Sequence, residues 1–491
     1  MTRRLAPIAF ALCAVPFVVL ATLNSGGYRY GASDQAFYQP AVLLQLDPGL
    51  FPRDARVLAA QTTLTAADEL IALVVRGADI TIPRLFAALY AGSLILFAWG
   101  VWQIAGDLYR TRGAAVALLA AMTLRHAIAR SGTNTLEGYF HPRLVAYAIG
   151  AVAIASFLRG RWSAAALLVL IAAFIHPTTA LWLAVWLGAA AAVAEPGRRR
   201  WIIAAASLGA AAALWALTAG PLAARLSIMD AQWRAMLATK DYLFPLDWPV
   251  YAWVFNLGYL PVIIWIYRRR ASAGLVSPRE RGLVLGSFSL AAIFAAALVL
   301  HAVGVTLAFQ LQPARVFWVF DFLATIYVVW GVAEGSGAST RRAQVAALAI
   351  TAFSVARGIH VVVEAERPPV QITVPDDDWG RVMAWVRTTG KDSGFLADPL
   401  HAVRYGTSLR VAGERDVFVE SVKDAALGMY DRRIAVRTDE RIRAIPDYDR
   451  LAAPEARRLG GQYDLDFMIT EQQLDLPLVF ESGRLRVYRL Q

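Results

Sequence analysis

Two stretches of the sequence gather residue types that could do chemistry together. The first runs Tyr28-Arg-Tyr-Gly-Ala-Ser-Asp34-Gln-Ala-Phe-Tyr-Gln-Pro40 and continues to Asp47-Pro-Gly-Leu-Phe-Pro-Arg-Asp54. The second, Leu136-Glu-Gly-Tyr-Phe-His-Pro-Arg143, compresses Glu137, His141 and Arg143 into a short connection. His176 follows in His176-Pro177-Thr178-Thr179, Arg315 in Gln310-Leu-Gln-Pro-Ala-Arg315, and Arg357 adds a later cation. A carboxylate near a hydroxyl can take its proton as the oxygen attacks. Guanidinium groups grip phosphate in bidentate fashion and never lose their charge. An acid with two arginines therefore suits attack on a sugar carbon joined to a lipid phosphate, which leaves without any need for a nucleotide. Asp34 is the candidate catalytic residue. Arg143 and Arg315 are candidate phosphate contacts, and Glu137, His141, His176 and Arg357 are the other candidate substrate contacts.

Each of these residues also has a plain structural reading. Asp34 follows Ser33 and precedes a short helical stretch, so it could serve as an N-cap. Asp47 and Asp54 flank a Pro-Gly-Leu-Phe-Pro turn and read as structural. His301 and Asp321 fall at similar depths in neighbouring apolar segments, which suits a neutralising buried pair better than a proton relay. Tyr28, Tyr30, Tyr38 and the fifteen tryptophans read mostly as residues of the membrane-water interface.

Apolar segments must position these groups. The chain has 491 residues, 58% of them hydrophobic and 17% charged, with mean hydropathy +0.48, a composition that belongs to an integral membrane protein. A helix needs about 20 residues to span the hydrocarbon. Apolar segments near that length fall at 5–23, 82–106, 113–129, 143–158, 162–178, 178–194, 201–219, 249–267, 282–305, 315–333 and 343–363. About eleven spans are expected. Arg3/Arg4, Arg110/Arg112, Arg159/Arg161, Arg198/Arg199/Arg200, Arg268/Arg269/Arg270 and Arg341/Arg342 fall at alternate connections. The positive-inside rule places those connections in the cytoplasm, with the N-terminus in and the C-terminus out. The segment Leu5 to Leu23 is too long for a signal-peptide core and reads as a retained first span.

In that topology His126, His141, His176, His301 and His360 lie near the outer ends of spans, together with the candidate acid and arginines. Charge in hydrocarbon is costly, so such a set argues for a polar cavity open to the outside. The net charge of +11 comes mostly from arginines beside apolar segments, so nucleic acid is not an expected partner. A lone Cys13 rules out a disulfide within the chain. The sequence has no P-loop, no G-x-G-x-x-G after a strand, no H-E-x-x-H and no C-x-x-C, which argues against ATP-driven chemistry.

Two further regions complete the pattern. The first outer connection, 24–81, contains Ala66 to Val75, whose spacing predicts a helix lying along the interface. From 364 to 491 the composition turns charged and predicts a small outer α/β domain. An acid-capped helix is expected over 376–387, short strands at 394–398, 417–420, 467–470 and 484–489, and helices around 421–433 and 448–459.

These features together resemble the GT-C superfamily of membrane glycosyltransferases. The likeness rests on a cytoplasmic N-terminus, a long first outer loop with an acid soon after the first span, many spans, and an outer C-terminal domain. Tyr463-Asp-Leu-Asp-Phe-Met-Ile-Thr470 and Leu476-Pro-Leu-Val-Phe-Glu-Ser-Gly-Arg-Leu-Arg-Val-Tyr-Arg489 are similar to C-terminal outer domains of bacterial GT-C-like proteins. The resemblance implies a mainly α, polytopic bundle over 1–363 with the outer domain at 364–491. It implies transfer of a sugar from a polyprenyl-phosphate carrier to a glycan, lipid or protein acceptor at the outer face of a bacterial inner membrane. Asp34 matches the family's loop acid, which acts as base or metal ligand. The metal is left open, a divalent ion being compatible, and no nucleotide is expected. The bilayer and a lipid-linked sugar donor are the expected partners. The alternatives are a transporter or lipid flippase, and a non-catalytic membrane protein whose outer domain binds a partner.

Overall fold

The computed structural model describes residues 7–63, 65–220 and 222–491. The expected Arg3/Arg4 cluster and the start of the first span at Leu5 lie outside the described residues. Among the described residues seven helices are long and apolar enough to cross a bilayer: Ile82–Leu108, Pro177–Ala194, Pro196–Thr218, Val250–Ser272, Pro278–Val303, Thr306–Glu334 and Thr340–Glu364. The other four expected spans come out as shorter apolar helices, Ile8–Asn24, Arg112–Met122, Pro142–Leu158 and Trp162–Ile175. The protein is a multi-pass membrane protein on this count alone. Helices are the form these apolar runs take because each closes its own backbone hydrogen bonds, which hydrocarbon cannot satisfy.

Small residues bring the helices together. A side chain on Gly100 would lie 2.6 Å from the Ala151 methyl of Pro142–Leu158. Gly286 leaves similar room for the backbone at Ala190, where Pro278–Val303 packs on Pro177–Ala194. With no hydrophobic drive between helices in lipid, close backbone approach of this kind supplies the packing.

The polar connections segregate to two ends. At one end Glu334 accepts from the backbone N–H groups of Arg110 and Thr111 at 3.0 and 2.7 Å. Arg270 pairs there with buried Glu280 at 2.7 Å and donates to the Leu108 carbonyl. Arg159 pairs with Asp107, and Arg279 with Glu195. The arginine-bearing connections at 110–112, 159–161, 195–200, 268–270 and 341–342 therefore share one end. The opposite end carries the loops that hold Asp34, His141 and Arg315.

That second end is roofed by the C-terminal residues. Past Glu364, the strand Val370–Gln371 pairs in parallel with Tyr28–Arg29. A five-stranded sheet follows, in the order Asp416–Val417, Gly394–Ala397, Phe467–Thr470, Leu485–Arg489, Leu478–Ser482. The expected strand at 417–420 contracts to two residues at 416–417, and Leu478–Ser482 is a strand the sequence pattern did not single out. Asp377 caps the helix Asp378–Val386 by accepting from Gly380 N–H at 2.8 Å. The helix expected around 421–433 divides into Ser421–Leu427 and Arg432–Arg443.

Asp54 is the structural residue that the turn context suggested. Wholly buried, it accepts from Arg410 at 2.8 Å and also pairs with Arg437, tying the first connection to the C-terminal region. Arg410 reaches Asp424 as well, at 2.6 Å. The helix Ala67–Ala78 has the two faces expected of an interfacial element. Ile71 and Ala72 are buried, while Leu70, Leu73 and Val74 are exposed. The interfacial reading of Tyr28, Tyr30 and Tyr38 is corrected, because all three are buried and pack in the core against Tyr90, Phe86 and Phe37. A helix-lined core reaches up around this loop, leaving these rings no access to the bilayer surface.

Candidate functional site

The stretch that carries Asp34 begins just past the end of the first helix at Asn24, where the backbone turns sharply. Gly27 has φ +87°, and a side chain there would meet the Pro369 carbonyl at 2.6 Å. Tyr28–Arg29 is then fixed beside Val370–Gln371, and Arg29 N–H donates to the Gly138 carbonyl at 2.7 Å. Ser33 takes a left-handed φ of 53°, unusual for a residue with a side chain, and turns the chain immediately before Asp34. Asp34 precedes the helix Gln35–Leu46 but makes no capping hydrogen bond. Its carboxylate is used elsewhere, so the N-cap reading is corrected.

The carboxylate has two partners. Oδ2 meets His141 Nε2 at 3.1 Å, and Oδ1 meets the Lys423 ammonium at 2.5 Å. His141 stands at the start of Pro142–Leu158, and its Nδ1 accepts from Arg143 N–H at 2.9 Å. With Nδ1 accepting, the ring proton of a neutral imidazole sits on Nε2 and points at Asp34. Burial lowers the His141 pKa, and the nearby Arg143 charge lowers it further, favouring that neutral ring. Burial alone would raise the Asp34 pKa, but Lys423 and His141 outweigh it and hold the acid well below its ordinary value. Asp34 is therefore an ionised carboxylate, one-quarter exposed, aimed by a histidine and neutralised by a lysine.

Glu137 and Arg143 form a buried ion pair behind this group. Burial pushes the Glu137 acid up, while Arg143 and His141 pull it below the usual value. Asp34, Glu137, Arg143, Arg315 and Lys423 all line one cavity of about 590 Å³, with Arg29, Arg125, Lys240 and Tyr242 on its other walls. Six cationic side chains thus face two acids in one space. Arg315 makes no ion pair among the described residues, and its Nε is buried without a hydrogen-bond partner. An unpaired guanidinium facing a cavity is suited to an anion.

The remaining candidates lie outside the cavity wall. His141 acts on it through Asp34. His176 is buried behind His141, the ring centroids 6.1 Å apart, and its Nδ1 accepts from Thr179 at the start of Pro177–Ala194. Arg357 is spent on the end of the first helix, donating to the Asn24 backbone and side-chain oxygens at 2.9 and 2.8 Å. The expected His301–Asp321 pair does not form. Asp321 instead meets His126 Nδ1 at 2.8 Å, while the His301 ring meets no acid and packs on Phe309. Similar depth along two helices did not mean facing sides.

Four cavity residues escaped the sequence reading. Lys423 sits 389 residues from Asp34, in a helix whose pattern gives no hint of it. Arg125 and Lys240 lie in connections without a motif. Arg29 alone carried a sequence signal, as the cation of the Tyr28–Pro40 stretch set between two tyrosines.

Among the described residues no group of three or more His, Cys, Asp or Glu side chains is arranged to hold a metal ion. At Asp34 the cation's place is taken by the Lys423 ammonium, and Glu137 is engaged by Arg143. In this arrangement the donors do not fit a divalent metal.

Comparison with known proteins gives a consistent but distant likeness. No family model matches the chain, and no curated protein matches it. Among solved structures, it is similar to the oligosaccharyltransferase of Archaeoglobus fulgidus in the apo form, at TM-score 0.46 and 13% identity, over 94% of this chain and 69% of that one. It is similar also to the arabinofuranosyltransferase AftD from Mycobacteria, at TM-score 0.46 and 14% identity, over all of this chain and 40% of that one. Overlap at this level leaves every residue role to the chain's own geometry.

Proposed function

We propose that the protein is an integral membrane glycosyltransferase that moves a sugar from a polyprenyl-phosphate carrier to an acceptor hydroxyl at the outer face of a bacterial inner membrane. Residues 1–363 form the membrane domain and 364–491 an outer domain that closes the site. The observation that carries this reading is the ionised Asp34, aimed by His141, in the same cavity as the unpaired Arg315.

The chemistry follows from those groups. The acceptor oxygen attacks the sugar's anomeric carbon as the bond from that carbon to the phosphate oxygen breaks. The electron pair leaves with the phosphate, whose charge Arg315 stabilises, with Arg143 braced by Glu137 beside it. Asp34 takes the hydroxyl proton. Because Lys423 holds this acid weakly basic, its ammonium must move aside as the acceptor enters. His141 keeps the carboxylate oriented, and His176 buttresses His141.

Asp34→Asn is the direct test, since the amide keeps the shape but cannot take the proton. Sugar transfer from a lipid-linked donor in membranes is expected to fall at least 100-fold, with the amount of folded, membrane-inserted protein unchanged. Full transfer by this variant rejects the catalytic assignment and favours a partner-binding membrane protein. The lipid-linked sugar that accumulates when the protein is removed identifies the donor.

A further inference from the structure

Arg143 and Arg315 account for only part of the cavity's positive charge. Arg29 and Arg125 line the same space. Both cavity acids are already taken, Asp34 by His141 and Lys423, and Glu137 by Arg143. The Arg29 backbone is held at this wall, paired with Gln371 on one side and donating to the Gly138 carbonyl on the other. Burial lowers its pKa, and the charges of Arg367 and Arg125 lower it further. Like charges gathered at one cavity wall repel one another, and an anion placed among them relieves that repulsion. Arg404, at the end of the helix His401–Arg404, shows the contrasting case of an arginine answered by two acids, Asp398 and Asp449, at 3.1 and 2.9 Å.

We propose that Arg29 and Arg125 form a second anion subsite in this cavity, so that the substrates together carry two anionic groups. This rests on the reading of Arg315 as the contact for the donor phosphate. The second group is a phosphate or carboxylate oxygen set. It comes either from a diphosphate donor, whose other phosphate reaches Arg29, or from an acidic acceptor.

The test is calorimetric titration of the full-length protein in neutral detergent at low ionic strength, with inorganic phosphate and then pyrophosphate as probes. Wild type is expected to take two phosphates per chain. Arg29→Gln with Arg125→Gln is expected to take one, and Arg315→Gln to take one. Arg29→Lys with Arg125→Lys, which keeps the charge, is expected to retain both with weaker binding and serves as the folding control. Pyrophosphate bound once per chain, at least tenfold tighter than phosphate and weakened by both sets of substitutions, assigns the second group to a diphosphate donor. Pyrophosphate bound twice assigns it to the acceptor. A double Gln variant that still takes two phosphates overturns the subsite, as does a wild type that takes one phosphate lost in Arg315→Gln. If only the double Gln variant loses a phosphate and Arg315→Gln loses none, the subsite stands and the donor reading fails.

Discussion

At the scale of single residues the chemistry turns on the contact between Asp34 and Lys423, which come from opposite parts of the chain. A carboxylate whose folded pKa lies below its ordinary value near about 3.9 adds stability above that value and loses it as pH falls through the folded one. Asp34 is such a group, held down by Lys423 and His141 against the burial that would raise it. Lys423→Met removes the ammonium and leaves the burial, so the Asp34 pKa rises. The acid limb of the pH-rate profile for transfer is then expected to move to higher pH, while Lys423→Arg keeps it near the wild-type position. An acid limb that stays put in the Met variant would mean that Asp34 is not the group whose ionisation the rate reports. The His141 ring makes a related prediction. His141→Asn can replace the bond to Asp34 but not the fixed tautomer, and is expected to lower the rate of transfer more than it weakens substrate binding, read as kcat against KM.

At the scale of elements, two kinds of contact hold the site in place. Helices pack through small residues, and the loops lock to the C-terminal region through buried ion pairs. Gly286→Leu forces a side chain into the backbone at Ala190, where there is no room. Overpacking of this kind costs about 1–3 kcal/mol, so the thermal midpoint in detergent is expected to fall. Arg410 answers Asp54 and Asp424 at once, and all three side chains are shielded from solvent. Arg410→Met leaves buried Asp424 without its ion-pair partner and Asp54 with Arg437 alone, at a cost of about 3–5 kcal/mol. Limited proteolysis is expected to cut between 364 and 491 in that variant under conditions where wild type resists. Equal resistance would show that the C-terminal region docks without the arginine.

At the scale of the whole molecule, the segregation of arginine-bearing connections to one end and the cavity to the other sets up a test of orientation. The single cysteine makes the experiment clean, since Cys13→Ser leaves no thiol. In that background Lys391→Cys, near the cavity end, is expected to react with a membrane-impermeant maleimide in intact cells with a permeable outer envelope. Ser272→Cys, at the arginine end, is expected to react only after the membrane is broken. The reverse pattern would place the cavity in the cytoplasm and remove the lipid-linked donor from the argument.

The apolar segments could be read from the chain by itself because a helix in lipid satisfies its hydrogen bonds locally, so composition over a short window decides the element. Asp34 and the Glu137–Arg143 segment were legible for a similar reason: acids and arginines are rare beside such helices, and they stand out. Which of them meet was a matter for the tertiary structure. His301 and Asp321 matched in depth but not in facing direction, and Arg357 proved to hold the end of the first helix. Lys423 reached Asp34 across 389 residues only because the C-terminal region folds back over the cavity. Charge pairing acts through space over a few ångströms, and the sequence specifies that distance only where neighbours along the chain are neighbours in the fold.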